Sequence, residues 1–136
     1  DRILIDAPCS ATGTIRRHPD ILHLKRAEDA RNLTDVQHRL LRNAATQLRV
    51  GGTLLYCTCS LESAECESRV EAFLADPGAP YLAFIRRPIE PSEIGGEAGW
   101  ITPAGDLRTF PFNLPINEAR LGGIDGFYAA RLVRTK

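Results

Sequence analysis

Two apolar runs, each closing in a short cysteine motif and separated by a helix-forming stretch, limit what this chain can fold into. Ile3-Leu4-Ile5 leads into Asp6-Ala7-Pro8-Cys9-Ser10, and Thr53-Leu54-Leu55-Tyr56 leads into Thr58-Cys59-Ser60. In a strand–helix–strand unit the crossover returns the chain to the same end of the sheet, so the two strands lie parallel. Their carboxyl ends then share one edge, and open α/β sheets build their ligand sites along that edge. The pattern predicts that Cys9, Cys59 and Asp6 meet at a single site edge.

The rest of the chain fits an α/β reading. Residues 2–6 read as a buried strand, and 10–20 as turn-rich, with Gly13 and Pro19. Asp20 can cap a short helical turn at Ile21–Lys25. A longer helix is expected from Ala30 to Leu48, because Leu33, Val36, Leu40, Leu41, Ala44 and Leu48 recur at helical spacing and make one buried stripe. Gly51-Gly52 ends it with the positive φ that the return turn needs. A second strand follows at 53–59. A helix is then expected near 63–75, capped by Ser60 or Ser63, with Cys66, Val70, Phe73 and Leu74 inward. Asp76-Pro77-Gly78-Ala79-Pro80 is a break. A third strand is expected at 81–87, a mostly irregular Gly- and Pro-rich stretch at 88–125 with a short strand at Leu107–Phe110, and a final strand at Phe127–Arg134. That is half of a doubly wound sheet, of about four strands with flanking helices. No Gly-x-Gly-x-x-Gly loop precedes the first strand. A first strand left at the sheet edge invites pairing with another chain.

Composition narrows the classes. The 136 residues suffice for one domain with a modest core, and 43% hydrophobic with 25% charged residues is ordinary for a globular protein. No apolar run reaches the roughly 18–20 residues a membrane span needs, and no signal-peptide pattern is present. Asp1-Arg2 enters a strand directly, without cap or leader, so a fragment of a longer protein is expected. The formal net charge is zero, so overall charge gives no case for a nucleic-acid partner. The halves differ: residues 1–50 carry nine Lys/Arg against six Asp/Glu, and residues 51–136 carry eight against eleven. The basic half is either a solvated helix face or a patch that contacts phosphate. Four cysteines without a secretory context point to a reduced, cytoplasmic setting.

Each motif supports a plain and a chemical reading. Asp6 either accepts hydrogen bonds from its own turn or, stiffened by Pro8, meets a planar amide or amidine group. Cys57 and Cys66 read as small buried hydrophobes. Cys59, at the strand's mouth, is a thiolate nucleophile wherever nearby charge lowers its pKa. A Cys-x-Cys pair with Cys9 is a poor match for structural zinc spacing, so no metal is expected. Arg16 and Arg17 lie just past the site edge, either as a polar connection or as phosphate contacts. His18 reads as a turn residue. Trp100 either plugs a loop against the sheet or stacks on a base.

Several of these stretches together resemble the bacterial Sun/Fmu family of RNA cytosine-5 methyltransferases. They are Asp6-Ala7-Pro8-Cys9-Ser10-Ala11-Thr12-Gly13, Arg16-Arg17-His18-Pro19-Asp20, Thr58-Cys59-Ser60, the Glu65 region and Asp125-Gly126-Phe127-Tyr128-Ala129-Ala130. The resemblance runs over essentially the whole chain. It implies the carboxyl-terminal half of an S-adenosylmethionine-dependent methyltransferase domain over residues 1–136, a Rossmann-like sheet with its last strand antiparallel, and an RNA partner, ribosomal RNA first. It implies Cys59 as the attacking thiol, Asp6 as the group that holds the cytosine edge close to the cofactor, and Cys9 as the thiol that helps resolve the adduct. Cys57 and Cys66 depart from the family pattern, and the strands carrying the family's glycine-rich cofactor loop are not in this chain. Little or no S-adenosylmethionine binding is therefore expected of the chain by itself. The alternatives are a methyltransferase of an exocyclic amine, which also places Asp or Asn before Pro here but needs no thiol, and a non-catalytic RNA- or protein-binding remnant.

Overall fold

The computed structural model describes residues 1–24, 27–76, 83–114 and 122–136, with backbone alone at 27 and 29–31. The chain runs β1 (Arg2–Asp6), α1 (Ile21–Leu24), α2 (Ala27–Gln47), β2 (Thr53–Thr58), α3 (Glu67–Leu74), β3 (Phe84–Arg86), β4 (Leu107–Thr109) and β5 (Phe127–Arg134). Short 3-10 turns cover Thr12–Thr14, Ser63–Glu65, Pro91–Ile94 and Ala98–Trp100. The strands form one mixed sheet in the order β1-β2-β5-β3, and β4 also pairs with β5.

β1 and β2 are parallel, with Asp6 opposite Cys57. This is the strand–helix–strand unit read from the sequence. β5 runs antiparallel to β2, from Thr53 opposite Val133 to Thr58 opposite Tyr128. The other side of β5 is shared: β4 pairs with its first residues and β3 with its last. The sheet thus has five strands, and the short one expected at Leu107–Phe110 forms over Leu107–Thr109 beside the about four suggested. The third strand begins at Phe84, and the expected break at 77–80 and strand start at 81–82 lie outside the described residues.

The main core lies on one face of the sheet. Ile5, Leu54, Tyr56, Tyr128, Ala130 and Leu132 point there because strand side chains alternate. Leu41, Ala44, Ala45 and Leu48 of α2 and Cys66, Val70 and Phe73 around α3 close over them. Each fully buried leucine contributes roughly 1.5–3 kcal/mol over leaving it in water.

The stripe on α2 is rotated from the expected one. Gln37 takes a buried place beside Leu41, while Leu40 is 37% exposed. At 100° per residue Leu40 falls on the flank of an arc centred on Leu41 and Leu48. The helix also starts at Ala27, earlier than the apolar pattern shows. Gly51 supplies the positive φ of the return turn, at 78°. No serine side chain caps the next helical segment from Ser63; Glu62 stands at that start without a side-chain cap.

The opposite face of the sheet is thinly covered. Cys57, Ile89 and Ala129 form a small cluster with the partly buried Leu55, Ile94, Ile101, Leu107 and Phe127. A cleft of about 810 Å³ opens beside them, with Leu4 on its wall. Among the described residues no helix is long and apolar enough to cross a membrane.

Candidate active site

The parallel ladder continues past β1. The Ala7 N–H donates to the Cys57 carbonyl at 2.9 Å, and the Gly13 N–H donates to the Cys59 carbonyl at 2.9 Å. The segment between them is thereby tied to the end of β2 at both of its ends. Ala11 takes φ of 59°, a left-handed conformation that is uncommon outside glycine. Its carbonyl accepts from the Thr14 N–H at 2.9 Å and the Thr14 hydroxyl at 2.8 Å. Gly13 also accepts from the Gly126 N–H at 2.8 Å. A Cβ on Gly13 would stand 2.1 Å from the Gly126 carbonyl oxygen and 2.7 Å from that of Cys59, so only glycine fits.

This folding brings the two predicted thiols together. Cys9 Sγ and Cys59 Sγ are 3.5 Å apart, and both residues are half-buried free cysteines. Cys59 is pulled down to about 7, first by the hydrogen bond from Cys9, against desolvation and the negative fields of Asp6 and Asp125. The same bond, with burial, pushes the Cys9 thiol well up. The pair therefore divides its labour: Cys59 holds the charge and Cys9 keeps the proton.

Asp6 lies exposed at the end of β1, and its charge is felt by both Cys57 and Cys59. It has no hydrogen-bond or ion-pair partner among the described residues, so its carboxylate is open to an incoming donor. Arg17 clasps Asp125 with two hydrogen bonds, one from Nε at 2.8 Å. Arg16 donates to the Gly122 carbonyl at 3.2 Å and lies 4.0 Å from Asp125. The Arg17 guanidinium holds the Asp125 carboxyl below its usual range and itself feels the Cys59 charge. Both arginines thus fasten the 122–125 loop beside the thiols, while much of each side chain stays exposed.

The remaining candidates have simpler places. Cys57 is buried, and desolvation pushes its thiol up to about 11. Cys66 is fully buried, 3.2 Å from the Thr58 hydroxyl and 3.1 Å from an Arg108 nitrogen. His18 sits in the turn after Gly13, its N–H donating to the Thr14 carbonyl. Trp100 lines an apolar hollow with Ile94, Leu107, Ile124 and Phe127. No group of three or more His, Cys, Asp or Glu among the described residues is arranged to hold a metal ion.

Sequence reasoning counted the Glu65 region in the resemblance but gave no role to the group behind the thiols. Glu65 is fully buried and accepts from the Ser10 N–H at 2.9 Å, the Ser10 and Ser60 hydroxyls at 2.5 Å each, and the Gln37 amide at 3.2 Å. Gln37 also donates to the Pro8 carbonyl at 2.9 Å. Thr12 accepts from the Leu61 N–H at 2.8 Å, and Arg108 donates to the Ser60 and Leu61 carbonyls at 2.9 and 2.8 Å. The signal available was the cluster of hydroxyls, Ser10, Thr12, Ser60 and Ser63, flanking two apolar strand ends.

The chain is similar to several known proteins. Residues 1–133 match the family model described as 16S rRNA methyltransferase RsmB/F. The chain is 39% identical over 134 residues to the ribosomal RNA small subunit methyltransferase B of Shewanella oneidensis, covering 98% of this chain and 27% of that protein. It is 42% identical to the protein of the same name from Pseudomonas putida, with 98% and 26% covered. The chain thus spans about a quarter of the length of these curated relatives. Among solved structures, a methyltransferase homologue from Pyrococcus horikoshii is 25% identical with a TM-score of 0.66, covering the whole chain and 39% of its own. NSun6 from Pyrococcus horikoshii, solved with SFG, shares the fold with a TM-score of 0.70 at 22% identity, over 98% of this chain and 30% of its own.

Proposed function

The chain belongs to the 16S rRNA methyltransferase RsmB/F family, and on that premise we propose that it is the carboxyl-terminal half of a catalytic domain that methylates carbon 5 of cytosine in ribosomal RNA. The observation that carries this reading is the sulfur pair: two thiols 3.5 Å apart, one of them lowered to about 7, beside an open carboxylate.

Carbon 5 of cytosine is a poor nucleophile. The Cys59 thiolate adds to carbon 6, and the electron pair displaced from the ring double bond makes carbon 5 reactive. Asp6 accepts from the N4 amino group and from a proton taken up at N3 as carbon 6 is attacked, which holds the cytosine edge and stabilises the adduct. S-adenosylmethionine supplies the methyl group when bound, and the open Asp6 carboxylate is the residue of this chain that would meet it. After methylation a water molecule takes the carbon 5 proton, the electron pair of that C–H bond re-forms the ring double bond, and the carbon–sulfur bond breaks with its pair leaving on Cys59 as the thiolate, with Cys9 aiding this last step. Arg16 and Arg17 meet the RNA backbone with the guanidinium edges turned away from Asp125. The target base must leave its stack to enter such a pocket. The setting is the cytoplasm, where thiols stay reduced.

In the full-length protein, Cys59→Ala is expected to abolish methylation, and Cys9→Ala to accumulate a denaturation-resistant protein–RNA adduct on gels. Full activity in Cys59→Ala removes the mechanism. No adduct in Cys9→Ala removes the role given to Cys9. Mapping the methyl group to the exocyclic nitrogen would instead favour amine methylation.

A further inference from the structure

The two thiols come from segments fifty residues apart, and direct strand pairing ends at Asp6 and Cys57. Beyond that point the Ala7–Cys57 and Gly13–Cys59 backbone hydrogen bonds hold the ends of the Cys9 segment, and a side-chain tie lies between them. The residue after each thiol supplies it: Ser10 follows Cys9, Ser60 follows Cys59, and both hydroxyls donate to the same oxygen of Glu65, Oε2, at 2.5 Å. The two hydroxyl oxygens are themselves 3.1 Å apart. The Ser10 N–H reaches both carboxylate oxygens, at 2.9 and 3.2 Å. Gln37 bridges Oε1 to the Pro8 carbonyl on the far side of Cys9.

Glu65 itself is anchored from behind. The Tyr56 hydroxyl donates to its main-chain carbonyl at 2.8 Å, and Glu65 closes a 3-10 turn against Glu62. Every partner of the carboxylate is buried, with Ser10 4% exposed and Gln37 and Ser60 fully covered. Deleting the carboxylate would strand these donors where water does not reach, so the turns must shift to find new acceptors.

We propose that Glu65 is a positioning residue: it clamps the Cys9 and Cys59 turns to one carboxylate and so sets the sulfur-to-sulfur contact that keeps Cys59 reactive. It touches neither thiol and acts through Ser10 and Ser60. This rests on the thiolate reading above for its catalytic consequence, but the clamp itself has a chemical signature that needs no substrate.

The test is Glu65→Gln in the full-length protein, which keeps the volume and turns one acceptor into a donor. Alkylation of Cys59 by iodoacetamide, followed by mass spectrometry against pH, is expected to show its midpoint moving up by about one unit, toward an ordinary thiol near 8.5. Methylation of 16S rRNA at pH 7 should lose about fivefold in kcat with KM for RNA unchanged, and much of the loss should return by pH 9 as the thiolate refills. A purely structural role predicts lower kcat at every pH and an unmoved midpoint, and that result overturns the proposal. Ser60→Ala removes one donor to the carboxylate and leaves the Ser10 and Gln37 bonds to it, at the cost of the acceptor of the Glu62 N–H; a smaller upward shift supports the clamp, and no shift counts against it even where Glu65→Gln does not fold. If the midpoint moves but Cys59→Ala still methylates, the clamp stands and the covalent mechanism falls.

Discussion

The proposed mechanism needs Cys59 as a thiolate, so the hydrogen bond from Cys9 sets the pH at which the sulfur is ready. Its lowered value of about 7 means the charged form is lost as pH falls through that point and is complete above it. The rate of Cys59 alkylation should therefore rise through about pH 7 and level off. In Cys9→Ala the leading cause of the lowering is gone, so the same curve should move to higher pH. A curve that stays in place would show that Cys9 does not supply the proton-bearing partner. At this scale the sequence was informative where chemistry has a type: a cysteine at a strand's mouth reads differently from one in an apolar run, and Cys59 and Cys57 separated on that basis. Glu65 was not legible. An acidic residue in the first turn of a helical segment is ordinarily solvated and favourable there, and only tertiary packing turns this one inward against Ser10 and Ser60.

The elements hold the site by close approach as much as by pairing. Gly13 lies between the Cys59 carbonyl and Gly126, and its own hydrogen bonds face both. Gly13→Ala would press a methyl group into backbone on each side, and overpacking of this kind costs about 1–3 kcal/mol. Thermal unfolding should show the lower midpoint, and Cys59 alkylation should lose its low-pH reactivity as the turn moves. An unchanged melting temperature would show that the segment yields freely. The strands were readable because alternation and turn residues are local signals, as the final strand at Phe127–Arg134 illustrates. The phase of α2 was not. Leucine at position 40 and glutamine at position 37 carry no local mark of which one the core accepts, and Gln37 is inside because Glu65 and the Pro8 carbonyl use its amide.

Across the whole molecule the two faces of the sheet are unequal. One is closed by α2 and α3; the other keeps a cleft of about 810 Å³, with Leu4 66% exposed on the edge strand β1. Exposed apolar area of this kind and an unpaired strand edge both favour association, and a net charge of zero gives little repulsion against it. The 136-residue chain by itself should sediment as concentration-dependent oligomers, and Leu4→Glu should shift it toward monomer. A monomer at every concentration before the substitution would show that the face is self-sufficient. The sheet order was only partly legible, since no local pattern says that β5 inserts between β2 and β3 and lends its outer side to two short strands at once.

The spacing of the two sulfurs also makes the site vulnerable. Peroxide that oxidises Cys59 to a sulfenic acid would leave it 3.5 Å from a waiting thiol; attack by Cys9 then closes a disulfide and releases water. Brief peroxide treatment should consume two thiols and spare the buried Cys57 and Cys66, and dithiothreitol should return both. Losing all four thiols, or none, would contradict this. An enzyme built on this pair would be silenced by oxidative stress and revived by the cell's reductants.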